Sequence, residues 1–548
     1  MHTSFEFKSR RSPVVSRSGI VAASQPLAVA AGLEILHQGG TAADAAVAAA
    51  AALNVTEPTS TGIGGDCFAL YYHAASRQVS ALNGSGRAPA ALTLERLQCE
   101  GYSQQLPAYH AYTVTVPGAC AGWCDLLERF GRLPRSAVLA PAIRLAEQGY
   151  PVAPVTARGW QSGAANQLRS APGGQDLTID GRAPRAGEIF RNPGLARTLQ
   201  YVAEGGAEAF YQGLIAEAIA SAVQQAGGCL QVDDLAAHHS TWDTPISTLY
   251  RGFRIWECPP NGQGLAALLG LNILEGYDLA SLPALSVERL HLQIEAMRLA
   301  FADTRWYVAD PAFGDIPLDG LLSKEYAATR RAQIDPHRAR LDAAHGVPVA
   351  SSDTVYLSVV DAQGNACSFI NSNYMGFGTG IVPAGCGFSL QNRGHNFSLD
   401  PNHPNCLAPG KRPYHTIIPA LITRPAPDGE QSGEDLFASF GVMGGFMQPQ
   451  GHLQVVCALI DDQLDPQSAL DRPRFCIQNG EAGGQVALED GIPEQVMATL
   501  ASMGHPVQPT NGYARSVFGR GQVILRSAGE GVLWAGSDPR ADGCAMTC

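Results

Sequence analysis

A change in the character of the chain around residues 335 to 353 constrains what can follow it. The segment HisArgAlaArgLeuAspAlaAlaHisGly, followed by ValProValAlaSerSerAsp, is polar and turn-rich, as an exposed linker is. It runs directly into ThrValTyrLeuSerValValAsp at 354 to 361, which alternates and is β-branched. Gly364-Asn365 then supplies a turn before a second apolar run, AlaCysSerPheIle at 366 to 370, so a β-hairpin begins at Thr354. A threonine hydroxyl needs a base within hydrogen-bond reach before it can act as a nucleophile. At the first position of a chain it has one in its own α-amino group, whose pKa near ~7.7 suits proton transfer around neutrality. Cutting the bond from Asp353 to Thr354 would create that arrangement, whereas strand preference alone makes Thr354 an ordinary strand position.

The region before the linker reads as helices leading into a sheet. Ser24-Gln-Pro26 suits a helix start and Gly39-Gly40 its end; Thr41 caps a second, alanine-rich helix. The turn Gly62-Ile-Gly-Gly65 precedes an apolar run at 67 to 72 that reads as a buried strand. From about 115 to 345 the pattern is mainly helical, including Cys124 to Phe130, Ser136 to Gln148 and Val287 to Ala302. With 548 residues, 45% hydrophobic and 16% charged, the chain is long enough for a large core.

Other classes are disfavoured by composition. A formal net charge of -12 leaves no general basic surface, so nucleic acid is not an expected partner. Thirteen cysteines without a C-x-x-C pair read as reduced, mostly buried thiols. His395, His403 and His415 lack a metalloprotease frame, and no complete nucleotide-binding glycine motif occurs, so neither metal nor cofactor is expected. No window approaches the ~18 apolar residues of a membrane span, and the first residues carry charges where a secretory signal needs an apolar stretch. A cytoplasmic location is the expectation.

Segments across the whole chain resemble the γ-glutamyltransferase family of N-terminal nucleophile hydrolases. They include 26 to 40, GluProThrSerThrGlyIleGlyGly (57 to 65), 139 to 152, GluAlaMetArgLeuAlaPheAlaAsp (295 to 303), 353 to 361, GlyPheGlyThrGlyIleVal (376 to 382), GlyLysArgPro (410 to 413), ArgProArgPhe (472 to 475) and GlySerAspProArg (536 to 540). The resemblance implies an α+β fold built as a four-layer αββα sandwich. It also implies autoproteolysis into a large segment, 1 to 353, that stays bound to a small one, 354 to 548, as a heterodimer that can pair further. It places the nucleophile on Thr354, the supporting hydroxyl on Ser372 and the oxyanion-binding backbone N–H groups on Gly444-Gly445. By local pattern alone Ser372 is a solvated strand hydroxyl and Gly444-Gly445 a turn.

The chain departs from the family where substrate is held. The family's carboxylate-binding arginine falls two residues along, at Arg87, and its serine pair becomes His415-Thr416; Arg87 also fits a surface residue bracing a loop. The asparagine and aspartate that grip an α-amino group appear as Tyr374 and Asn396, which removes a charged acceptor. The stretch from Phe397 to Lys411 is short and implies a more open pocket, while Arg393 reads either as a second anion contact or as part of a structural salt bridge. These departures resemble the branch containing glutaryl-type cephalosporin acylases and oxamate amidohydrolases. The expected substrate is a small amide whose acyl part carries a carboxylate without requiring an α-amino group. The alternatives are a true γ-glutamyltransferase and an uncleaved, non-catalytic member.

Overall fold

The computed structural model describes residues 11–343, 354–426 and 433–548, so Asp353 and the end of the linker lie outside the described residues. Two seven-stranded sheets organise the chain. In one, the order is Val14–Ser16, Leu533–Ser537, Arg520–Arg526, Glu434–Met443, Ala420–Pro425, Phe253–Glu257 and Ile246–Tyr250. In the other it is Cys544–Thr547, Ile20–Ala23, Val355–Val360, Ala366–Ser372, Asp66–His73, Gln78–Gly84 and Thr241–Asp243. The hairpin expected at Thr354 is central to this second sheet. Val355 pairs with Asn371 and Val360 with Ala366; on its flanks Leu357 pairs with Ala23 and Ser372 with Asp66.

Every residue of Val355–Val360 and Ala366–Ser372 is buried, because both faces of the hairpin are covered. One face packs on Glu434–Met443 and Arg520–Arg526 of the first sheet. The other packs on the helix Ala42–Thr56, every residue of which is buried. Alanine at most of its positions allows that close approach, and the Thr41 side chain accepts from Asp44 N while Asp44 Oδ2 accepts from Thr41 N. On the far side of the first sheet lie Gly264–Leu274, Val287–Tyr307 and Met447–Ile460.

Two readings of the sequence need correction. Ser24 does not cap the helix Pro26–His37: the capping position is Gln25, without a side-chain cap, and Ser24 Oγ donates to Glu57 Oε2 at 2.5 Å. The stretch from 115 to 345 also holds strands at 241–243, 246–250 and 253–257, which close one edge of each sheet. They are short, and local pattern does not separate them from helix ends. Among the described residues no helix is long and apolar enough to cross a membrane, and the cysteines are free and mostly buried.

Candidate active site

Thr354 enters the site at the head of the strand Val355–Val360, and Ser372 closes the partner strand, so antiparallel pairing brings the two hydroxyls together from eighteen residues apart. Their oxygens are 3.2 Å apart and both residues are fully buried. Ser372 Oγ also accepts from Tyr374 N at 2.9 Å and from Arg393 Nη2 at 3.3 Å. A hydroxyl has two lone pairs and one proton. Either hydroxyl can donate in the bond between Ser372 Oγ and Thr354 Oγ1. Gln448 Nε2 approaches Thr354 Oγ1 at 3.5 Å.

The turn that lets the Ser372 backbone sit here is Gly62 to Gly65: a Cβ on Gly65 would fall 2.3 Å from the Ser372 carbonyl oxygen. Beside Ser372 in the sheet, Asp66 Oδ1 accepts from Gly86 N at 2.9 Å and Gly118 N at 3.3 Å. Its Oδ2 lies 3.1 Å from His415 Nε2. Burial raises the Asp66 pKa from 3.8 to about 6, with Arg393 opposing the rise. Burial, then repulsion from Arg393 and Arg412, holds His415 well below its ordinary value, so the ring is neutral and donates to Asp66.

Arg393 is the centre of charge. It has no exposed surface, and burial lowers its pKa to about 10. Nη1 donates to Thr416 Oγ1 at 2.6 Å, the guanidinium carbon lies 4.4 Å from the Tyr374 ring centroid, and Nε is buried without a hydrogen-bond partner. Tyr374, held at φ 79°, donates its hydroxyl to Asn396 Oδ1 at 2.6 Å, while Asn396 Nδ2 donates to the Tyr414 carbonyl. Burial raises the Tyr374 pKa, so the phenol keeps its proton.

Gly444 and Gly445 stand where the strand Glu434–Met443 gives way to the helix Met447–Ile460, at φ 132° and 57°. Their carbonyls accept from Met447 N and Gln448 N in the first helical turn. The helix therefore points its positive end toward the Thr354 side chain that Gln448 reaches. Gln263 Nε2 fixes the relation of the glycines to the rest of the site, donating to Gly445 O at 2.8 Å and to Thr416 O at 2.6 Å. A cleft of about 520 Å³ opens on this side, with Gly444, Phe446, Met447, Met375 and Phe377 among its walls.

The structure thus gathers Thr354, Ser372, Tyr374, Asn396 and Thr416 around Arg393, with Gly444 and Gly445 alongside. His415 is turned to Asp66. Arg87 is not brought in: its Nη1 donates to the His239 carbonyl at 3.2 Å. The shorter stretch after Phe397 does not expose the nucleophile, because Asn405 ties it down through Asn396 O and Tyr414 N. The sequence reading passed over Asp66, Gln263 and Gln448. Only Asp66 leaves a signal there, a charge opening an apolar strand.

Among the described residues, one group of side chains has metal-ligating chemistry. His291, Glu295 and His505 hold ligand atoms within 4.8 Å of one another, buried and away from Thr354. His291 Nδ1 and His505 Nε2 already share a hydrogen bond at 2.8 Å, and Arg298 Nε sits 3.3 Å from Glu295, a cation where a second would be repelled.

Comparison with known proteins bears on this geometry. The family model described as Gamma-glutamyltranspeptidase matches residues 28–548. The chain is 37% identical over 540 residues to the glutathione hydrolase-like YwrD proenzyme of Bacillus subtilis, covering 97% of this chain and 99% of that one. It is 33% identical over 539 residues to the oxamate amidohydrolase proenzyme of Klebsiella pneumoniae, covering 97% and 98%. The crystal structure of a cephalosporin acylase from Bacillus halodurans superposes with a TM-score of 0.90 at 47% identity, covering 99% of this chain and 98% of that one.

Proposed function

The chain belongs to the gamma-glutamyltranspeptidase family and is a hydrolase acting on carbon–nitrogen amide bonds, and we propose that it cleaves itself before Thr354 and then hydrolyses small amides whose acyl part carries a carboxylate. The observation that carries this reading is the Arg393 guanidinium, fully buried, bonded to the hydroxyls of Ser372 and Thr416 and without a direct carboxylate partner. A buried charge is costly unless paired, and a substrate carboxylate is the partner this position suits.

In this reading the α-amino group freed at Thr354 takes the proton from Oγ1 as that oxygen attacks the amide carbon. The carbonyl oxygen gathers negative charge and is met by the N–H groups of Gly444 and Gly445, at the positive end of the helix behind them. Collapse of the tetrahedral adduct breaks the carbon–nitrogen bond. The same amino group returns the proton to the departing amine and leaves an ester on Thr354. Water then attacks the ester, giving its proton to the amine; the bond from the acyl carbon to Oγ1 breaks, the ammonium returns the proton to Oγ1, and the carboxylic acid leaves. Ser372, donating to Oγ1, steadies the nucleophile throughout.

The site disfavours a γ-glutamyl α-amino group. The amide of Asn396 is engaged by Tyr374 and Tyr414, and the guanidinium of Arg393, stacked on Tyr374, repels an ammonium. We further read the stacked layers of helix, sheet, sheet and helix as an αββα sandwich, and the two segments as a heterodimer after cleavage.

Mass spectrometry of purified protein tests the reading. The expected result is a fragment starting at Thr354 that gains an acyl mass when quenched during turnover. Uncut protein with full activity would refute it. Product analysis with and without an added amino-acid acceptor separates hydrolysis from transfer.

A further inference from the structure

The strands Asp66–His73, Val355–Val360, Ala420–Pro425 and Arg520–Arg526 all run out at the end of the sheets away from Thr354. The six residues of Val355–Val360 carry the chain ~20 Å from Thr354, at ~3.3 Å per residue. A cavity of about 760 Å³ lies at that far end. Arg77, Arg132, Arg424 and Arg526 line it, and among the described residues Asp435 is the one carboxylate in its wall. Four cations against one anion stand out in a chain whose formal net charge is -12. Arg77, held at φ 54°, brings Nε to 3.2 Å from Asp435 Oδ1. Arg424 Nη2 donates to the Arg526 carbonyl at 3.2 Å, and its guanidinium carbon lies 5.4 Å from the Phe437 ring centroid. Arg132 Nη1 donates to the Gly39 carbonyl at 3.0 Å. Each of these polar contacts occupies one of a guanidinium's five N–H groups. Among the described residues the Arg526 side chain makes no hydrogen bond or ion pair. Burial lowers the Arg424 pKa, with Asp435 opposing the fall and Arg526 adding to it, so two cations stand closer than either favours.

We infer that this cavity binds a small polyanion, a molecule bearing two or more phosphate or carboxylate groups, at a site separate from the one that holds Thr354. A guanidinium meets either group with two parallel N–H bonds. Four cations less one carboxylate leave a surplus of three positive charges, so a ligand with a single negative charge would leave most of it unpaired. The volume is that of a pocket for a small organic molecule, which spans ~300 to 1,000 Å³. The inference does not depend on the amide chemistry proposed for Thr354, since the cations here are a different set from Arg393.

The test is calorimetric titration of the full-length protein with pyrophosphate and with citrate, at low and then raised ionic strength, with acetate as the singly charged control. One site per chain is expected for at least one of the two polyanions, weakening as salt is added, with acetate about tenfold weaker or more. Tighter binding of pyrophosphate assigns the site to phosphate-bearing ligands, and tighter binding of citrate assigns it to polycarboxylates. Arg526→Gln and Arg424→Gln should each weaken the preferred polyanion by about tenfold or more, and Arg526→Lys, which keeps the charge, should bind more tightly than Arg526→Gln. Arg144→Gln removes a cation from an exposed pair with Glu34 and should change the affinity less than about twofold. Circular dichroism in the near ultraviolet confirms that each variant keeps the native fold. The inference is overturned if neither polyanion binds at low ionic strength, if acetate matches them, or if binding survives unchanged in both folded glutamine variants. An equal loss in Arg144→Gln overturns it as well, because the effect would then belong to overall charge.

Discussion

Ser372 Oγ joins Arg393 to Thr354: it accepts from Arg393 Nη2 at 3.3 Å and lies 3.2 Å from Thr354 Oγ1. One oxygen thereby couples the cation that would hold a substrate to the hydroxyl that would attack it. Ser372→Ala should lower kcat by about 100-fold or more and slow the appearance of the Thr354 N-terminus. Ser372→Thr keeps the hydroxyl and should retain most of both. A denaturing gel timed from synthesis, with initial rates on the matured protein, reads the two effects separately.

The two arginines should behave differently. Arg87 donates to a loop carbonyl, whereas Arg393 is buried against Ser372 and Thr416. Arg87→Ala is expected to change KM for a carboxylate-bearing amide less than threefold. Arg393→Met should raise KM by about 10- to 100-fold, as loss of a charged hydrogen-bonded contact does. Initial-rate measurements on both variants decide it, and a larger effect at Arg87 would reverse the assignment.

Asp66 gives the protein a pH signature. Its pKa rises from 3.8 to about 6 on burial, so the folded state holds this proton more tightly than the unfolded chain. The group's contribution to stability is most favourable below pH 4, falls as the pH rises toward 6, and is constant above. Asp66→Asn lacks the titration. The stability of the wild type relative to this variant should therefore fall between pH 4 and 6 by about 3 kcal/mol and then level off. Denaturant unfolding at a series of pH values measures the difference, and a flat one would show that Asp66 does not titrate in that range.

The hairpin was legible because its alternation and its Gly364-Asn365 turn are local, and Thr41 because a capping box needs only four residues. The direction in which Arg87 turns was not legible, for the complementary reason. Counting residues along the chain placed an arginine near the family's position, but whether a guanidinium turns inward depends on what fills the interior. The cation inside the site is Arg393, over three hundred residues away. Gln263 and Gln448 are similarly silent, since a glutamine that bridges two segments differs from a surface glutamine only in what surrounds it.

The segments ArgProArgPhe and GlySerAspProArg have a structural explanation that neither gives alone. Arg474 and Arg540 both pair with Asp538, and Arg540 also pairs with Glu489, all buried. Replacing Asp538 by alanine leaves two buried cations short of a partner and should cost about 3 to 5 kcal/mol. Thermal unfolding checks this, with retained kcat in whatever protein folds, because none of these residues contacts Thr354.

The order of strands around the nucleophile has a consequence for ancestry and manufacture alike. The hairpin from Thr354 onward is laced between Ile20–Ala23 and Asp66–His73, and Ile20–Ala23 is bordered in turn by Cys544–Thr547. Were the chain cut before Thr354, the two polypeptides would stay braided through this sheet, and scission would change only where the termini lie. Neither half, made alone, possesses a complete interior. A gene split at codon 354 would have to rely on the halves meeting while still unfolded, which makes a single continuous precursor the simplest route to a threonine with a free amine.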